Sequence, residues 1–247
     1  MRLYEKYRPT TFADVVGQDK AVARLRRLAE GGNLGGRAFW ISGGSGTGKT
    51  TVARILAAEV ADPMFTVELD AHDLTPAKLR ELEYDSHYSA FGKGGRAYIV
   101  NEAHGLRKDT VRQLLVLLER VKDNALWVFT TTVDGQTEFE DCGLDAGPLL
   151  SRCIRVSLTT QGLCKPFALR VQEIAQLEGL DGQSLARYER LLKLNANNFR
   201  AALQAVEAGE MTNGKDEARR SATGRAGVRG RTVRGGQGRP AVGFRRN

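Results

Sequence analysis

The sequence predicts an α/β chain: a parallel five-stranded sheet flanked by helices, then a small three-helix lid, then a disordered basic tail. Three observations predict it. Short apolar runs alternate with helical patterns up to about residue 158, β-character then stops while helical periodicity continues, and beyond residue 209 large apolar side chains nearly disappear. The expected boundaries are 1–158 for the sheet domain, 159–209 for the lid and 210–247 for the tail.

Residues 38–42 (AFWIS) form the first strand-like run, and Val52, Ile55, Leu56 and Val60 then recur at helical spacing within 51–61. A second strand is expected at 65–70, a helix carrying Leu79 and Leu82 at 75–84, and a third strand at 97–101. The stretch 108–121 sets Val111, Leu114, Leu115, Leu118 and Val121 on one helical face. A fourth strand at 126–131 and a fifth at 153–157 complete the sheet. In the lid, helices at 165–178, 184–194 and 198–208 are separated by breakers (GLDG, NAN), and Gly209 ends the last one. Three short helices bury little surface alone, so the lid is expected to pack on the sheet domain.

At 247 residues and 41% apolar content the chain can bury one core plus a satellite. No apolar run approaches the roughly 18 residues that span a bilayer, and the first residues lack the apolar core of a secretory signal, so a cytoplasmic location is expected. Cys142, Cys153 and Cys164 form no C-x-x-C pair, and with His72, His87 and His104 they show no metal-ligand spacing; reduced thiols without a zinc site are expected. The tail from Gly214 onward carries ten Lys or Arg against Asp216 and Glu217. That net +8 equals the charge of the whole chain, so residues 1–213 are neutral. An arginine-glycine tail of this kind is a candidate for nucleic-acid backbone contact, or serves only to solubilise.

Between the first strand and its following helix lie Gly43, Gly44, Ser45, Gly46, Thr47, Gly48, Lys49 and Thr50, an uninterrupted G-x-x-x-x-G-K-[ST] loop followed by Thr51. Glycines let backbone N–H groups turn toward phosphate oxygens. Lys49 would reach the β- and γ-phosphates of a nucleotide triphosphate, and Thr50 would offer its hydroxyl to Mg²⁺. A second constellation follows the third strand: Asn101, Glu102, Ala103 and His104. An acidic pair is usual at such a strand end. Here Asn101 is neutral; its amide oxygen can accept from a metal-bound water in the second shell but contributes less to holding the cation. Losing such a partner costs about 10–100-fold in metal affinity or activity. Glu102 remains available as general base.

These segments resemble the AAA+ clamp-loader ATPases, the family of the bacterial DNA polymerase III gamma/tau subunit and the replication factor C small subunits. The likeness runs through residues 3–9 (LYEKYRP), 12–18 (FADVVGQ), 68–71 (ELDA), 80–82 (REL), 101–104 (NEAH), 130–132 (TTT), 151–153 (SRC) and 198–203 (NFRAAL), in the family's order. It implies that Tyr7, Arg8, Pro9 and Val16 enclose the adenine, and that Thr131 or Thr132 is a polar sensor. It also implies that Arg152 is an arginine finger acting in trans on a neighbour's γ-phosphate, and that Arg200 is a lid sensor for the chain's own nucleotide. ATP and Mg²⁺ are the implied cofactors; other loader subunits or further copies of the chain, a sliding clamp and primer-template DNA are the implied partners.

Some features depart from the family. Residues 58–65 are too short for the zinc module of gamma/tau chains and hold no cysteine, and no collar domain is recognisable before the basic tail. Ring assembly is then expected to come from partner subunits, the AAA+ interfaces or DNA, as would suit a compact or phage-encoded relative. The connection 133–150 is long and acidic, with Asp134, Glu138, Glu140, Asp141 and Asp145. The function implied is a clamp-loader ATPase of DNA replication. The alternatives are a non-hydrolysing subunit stabilised by nucleotide, suggested by Asn101, and a DNA-remodelling motor such as a branch-migration helicase.

Overall fold

The computed structural model describes residues 1–32, 34–132, 138–139 and 144–212. The strands are β1 (Arg37–Ser42), β2 (Thr66–Asp70), β3 (Arg96–Asn101), β4 (Ala125–Thr131) and β5 (Ile154–Ser157). They form one all-parallel sheet in the order β2-β3-β4-β1-β5. The strands expected from the sequence are therefore present within a residue of their expected ends. Every residue of β4 is buried, as the near-continuous apolar run of a central parallel strand requires.

Helices cover both faces. On one side α1 (Asp19–Glu30) and α2 (Lys49–Val60) bury Leu25, Val52, Ile55 and Leu56 against Phe39, Ile41, Ile99 and Val128. On the other, α3 (Pro76–Asp85) and α4 (Lys108–Leu118) cover Trp40, Tyr98, Trp127 and Phe129. Aromatic contacts run across this face: Tyr98 lies 4.5 Å from Trp127, which stacks on Phe129 at 6.1 Å. The buried Tyr98 hydroxyl donates to the Leu82 carbonyl. Leaving that hydroxyl unpaired would be costly.

Helix α1 goes beyond the sequence expectations. Val22 and Leu25 are buried, with Ala21, Leu28 and Ala29 packed beside them, on a helix whose other residues are mostly charged. Two single-turn helices, Leu3–Lys6 and Gly147–Leu150, also lie outside those expectations. In the acidic connection, Glu138–Phe139 pairs antiparallel with Leu144–Asp145; residues 133–137 and 140–143 fall outside the described residues, as does the tail from residue 213.

After β5 come α5 (Cys164–Leu177), α6 (Leu185–Leu194) and α7 (Phe199–Glu207). They enclose a separate cluster containing Phe167, Val171, Tyr188, Leu192, Leu203 and Val206. Met211, two residues beyond the expected end of the lid, is buried in it as well. So is Leu3, from the opposite end of the chain. The Leu3 N–H donates to Glu207, and Lys6 and Tyr7 both bond Glu178, so the N-terminal turn is strapped to these helices. Among the described residues no helix is long and apolar enough to cross a membrane.

Because α2 both fills the core and starts at the glycine loop, its packing sets the loop's position. Leu56 is fully buried, and Leu56→Ala should lower unfolding free energy by about 2–5 kcal/mol. Urea denaturation checks this, with the midpoint falling and the slope unchanged.

Candidate nucleotide site

The glycine loop joins the end of β1 to the start of α2, where three glycines take left-handed backbone values: Gly43 at φ 153°, Gly46 at 73° and Gly48 at 101°. Glycine is also needed for space at two of them. A Cβ on Gly46 would lie 2.0 Å from Asn198 Oδ1, and one on Gly43 would lie 2.9 Å from the Leu158 carbonyl oxygen. No side chain caps the start of α2. The first turn of a helix carries N–H groups without intrahelical acceptors and the positive end of the macrodipole. An uncapped turn beside a cavity is therefore suited to an anion.

That cavity is lined by Tyr4, Tyr7, Arg8, Pro9, Ser45, Gly46, Gly48, Lys49, Thr50, Thr51, Glu102, Thr132, Phe199 and Arg200. Lys49 is 8% exposed, and its ammonium donates to the carbonyls of Gly43 at 2.8 Å and Gly44 at 3.0 Å. Burial lowers its pKa, nearby Glu102 opposes that, and Arg200 adds to the lowering. Arg8 is shifted down by burial first and then by Arg54 and Arg200. The site thus concentrates cations that repel one another. Arg200 also sits over the Tyr4 ring, 5.3 Å from its centre.

At the end of β3, Asn101 Oδ1 accepts from Thr130 Oγ1 at 3.0 Å and from Thr50 Oγ1 at 3.4 Å. The Asn101 amide nitrogen donates to Glu68 Oε1 at 2.9 Å. Glu102 follows in a left-handed conformation, φ 50° and ψ 48°, which costs a non-glycine residue about 1–3 kcal/mol. The turn sets its carboxylate 3.3 Å from Thr132 Oγ1 and 3.5 Å from His104 Nδ1. Of the two sensor threonines left open by the sequence, Thr132 lines the cavity and meets Glu102. Thr131 is buried, and its hydroxyl lies 3.3 Å from His104 Nδ1.

An adjoining, more apolar recess is bounded by Tyr7, Pro9, Val15, Val16, Thr47, Phe167, Arg170 and Phe199. Phe167 and Phe199 meet edge to face at 5.0 Å. This recess has the shape and chemistry of a base pocket beside a phosphate cradle. Tyr7 and Pro9 line both recesses, Arg8 the first and Val16 the second; Tyr4, Val15, Phe167 and Phe199, for which the sequence suggests no individual role, line them as well. Thr47 is buried and bonds the Gly44 carbonyl, so it shapes the loop from within.

Arg152 lies outside both recesses. It follows the turn Gly147–Leu150, donates to the Pro148 carbonyl at 2.6 Å and pairs with Glu119 at the end of α4. The residues present fit Mg²⁺ with a polyphosphate: the threonine hydroxyl and amide oxygen that meet at Thr50 and Asn101 are hard oxygen donors, and the uncapped α2 turn faces the same cavity.

The family "ATPase family associated with various cellular activities (AAA)" matches residues 39–138. Residues 39–138 thus carry an AAA domain match, and the sequence is clamp-loader-like. It is 28% identical over 218 residues to replication factor C small subunit 1 of Pyrobaculum arsenaticum, covering 85% of this chain and 62% of that protein. Against the DNA polymerase III subunit gamma/tau of Mycobacterium bovis it is 32% identical over 157 residues, covering 53% of this chain and 27% of that one. The chain therefore spans about three fifths of the first relative's length and about a quarter of the second's. The Thermotoga maritima RuvB Holliday junction branch migration motor superposes with a TM-score of 0.61 at 21% identity, over 81% of this chain and 64% of that one. That likeness concerns the fold.

A buried ammonium with a lowered pKa is a burden on the empty protein, because folding disfavours its charged form. The penalty is full below the lowered pKa and disappears as pH rises through the unfolded value near 10.5. Lys49→Met should therefore melt no lower than wild type at pH 7 in the absence of nucleotide. Wild type should gain on the variant as pH rises toward the unfolded value of 10.5, as thermal melts at increasing pH would record.

Proposed function

We propose that this chain is an ATP-binding, ATP-hydrolysing subunit of a clamp-loader-type assembly in DNA replication. The observation that carries the reading is the convergence of an uncapped glycine loop, Glu102, Thr132 and Arg200 on one cavity, in a chain whose sequence is clamp-loader-like over 85% of its length. The base would enter the recess between Val16, Phe167 and Phe199, and the phosphates would meet the loop amides, Lys49 and Arg200. Thr50 and Asn101 would hold Mg²⁺, whose positive charge supplies stabilisation for the transferring phosphoryl group. Glu102 would orient and deprotonate the attacking water, a role supported by the contact of its carboxylate with Thr132 at the cavity wall.

Arg152, remote from its own cavity, would complete the site of a neighbouring subunit. A cation delivered in trans stabilises transition-state charge only on assembly, which couples hydrolysis to oligomerisation. The same reading divides the chain into a nucleotide-binding domain (1–158), a lid (159–209) and a basic tail (210–247), the tail being a candidate for contact with DNA. A sliding clamp, primer-template DNA and other loader subunits are the proposed partners, in the cytoplasm. The neutral Asn101 favours a second reading, a nucleotide-stabilised subunit that does not turn over. Asn101→Asp distinguishes the two: a large rise in turnover supports the ATPase, and no change supports the structural role.

Fluorescent ATP-analogue binding in the presence of Mg²⁺ tests the root of the proposal, which fails if none is seen. Glu102→Gln should bind ATP within about threefold of wild type while losing at least about 100-fold in turnover. Arg152→Ala should reduce hydrolysis in the assembled state by about 10³-fold or more without weakening binding. A phosphate-release assay on assembled protein provides the measurement.

A further inference from the structure

Asn101 stands where a carboxylate would be the stronger partner for a cation, and the structure surrounds it with an ordered relay. Glu68, on the neighbouring strand β2, is gripped by Arg54 of α2 through two bonds, Nε to Oε2 at 2.6 Å and Nη2 to Oε1 at 3.1 Å. The same Oε1 accepts from the Asn101 amide nitrogen at 2.9 Å. Burial works against the Glu68 charge, but the Arg54 fork and the Asn101 amide hold its pKa below the usual carboxylate value. A carboxylate of this kind only accepts, so it selects one of the two orientations open to a carboxamide: nitrogen toward β2, oxygen toward Thr50.

We propose that Glu68 is a positioning residue for the metal site, orienting and polarising the Asn101 carboxamide so that its oxygen faces Thr50 and the Mg²⁺ that accompanies the nucleotide. The inference rests on the reading of this cavity as an ATP-Mg²⁺ site. Its physical basis is cooperative hydrogen bonding. An amide that donates to an anion has a more electron-rich oxygen, and that oxygen accepts more strongly from a hydroxyl or a metal-bound water. Without Glu68 the amide can rotate and present N–H groups toward the cation. An aspartate at the same position would be indifferent to such rotation, because both ends of a carboxylate accept.

That difference supplies the test. Fluorescent ATP-analogue binding is titrated with Mg²⁺ for wild type, Glu68→Ala, Asn101→Asp and the double variant, with EDTA samples giving metal-free binding. Glu68→Ala should raise the Mg²⁺ concentration for half-effect about tenfold or more in the Asn101 background and less than about threefold in the Asn101→Asp background. Equal shifts in both backgrounds, or none with Asn101, overturn the proposal, since a merely structural Glu68 acts on both alike. Should Glu68→Ala melt out, Glu68→Gln replaces it in both backgrounds; it retains an acceptor but not the charge, and the same inequality of shifts is required. Failure of the underlying reading is separable: wild type itself would then bind no analogue or show no Mg²⁺ dependence.

Discussion

Gln18 is 2% exposed, and its carboxamide is committed to the backbone. Its nitrogen donates to the Thr159 carbonyl at 3.0 Å and reaches the Thr47 carbonyl at 3.4 Å, while its oxygen accepts from the Thr159 N–H at 3.1 Å. One side chain therefore ties the glycine loop to the point where the chain leaves the sheet for the lid helices. The neighbouring Gly17, at φ 76°, has its Cβ position only 2.6 Å from the Leu163 side chain, so no other residue brings Gln18 in at this depth without displacement. The site depends on this junction, because the loop, the last strand and the lid all pivot within one residue's reach. An unmade bond to a buried amide would cost about 1–3 kcal/mol, which makes the arrangement all-or-none.

The electrostatics of the cavity run opposite to those of a stable core. Lys49 and Arg8 are partly desolvated and share the cavity with Arg200, whose charge disfavours theirs, and the loop carbonyls of Gly43 and Gly44 are the immediate partners of the Lys49 ammonium. A polyphosphate would remove the repulsion and satisfy the helix amides at the same time. Ligand binding of that kind stabilises the folded state in proportion to the strain it relieves. Opposite this cationic wall stand Glu102 and the Asn101–Glu68 pair, so negative charge and oxygen donors lie on the sheet side and positive charge on the loop and lid side.

Those parts of the molecule governed by local rules are legible in the sequence. Alternating apolar runs locate all five strands, and the glycine motif locates the turn between β1 and α2 that lines the cavity with its lysine and threonine. What escapes is set by long-range approach. Phe167 and Phe199 read as ordinary core positions of α5 and α7, and only their convergence with Val16 makes them a pocket wall. Glu68 carries no local signal of a role at the site; the parallel register that sets Glu68 against Ile99, two residues before Asn101, is what brings it to the amide. Thr131 is buried within β4, whereas Thr132, the next residue beyond the strand, lines the cavity.

The N-terminal turn Leu3–Lys6 belongs physically to the far end of the described chain. Leu3 is sunk among Phe167, Leu203 and Val206, its N–H is held by Glu207, and Lys6 and Tyr7 converge on Glu178. Yet Tyr4, Tyr7, Arg8 and Pro9 also wall the nucleotide cavity opposite the loop. Strap and helices α5 to α7 are therefore one packed unit, and a change that loosens Leu3 from Phe167 and Val206 would also displace Tyr4 and Tyr7 from the cavity wall.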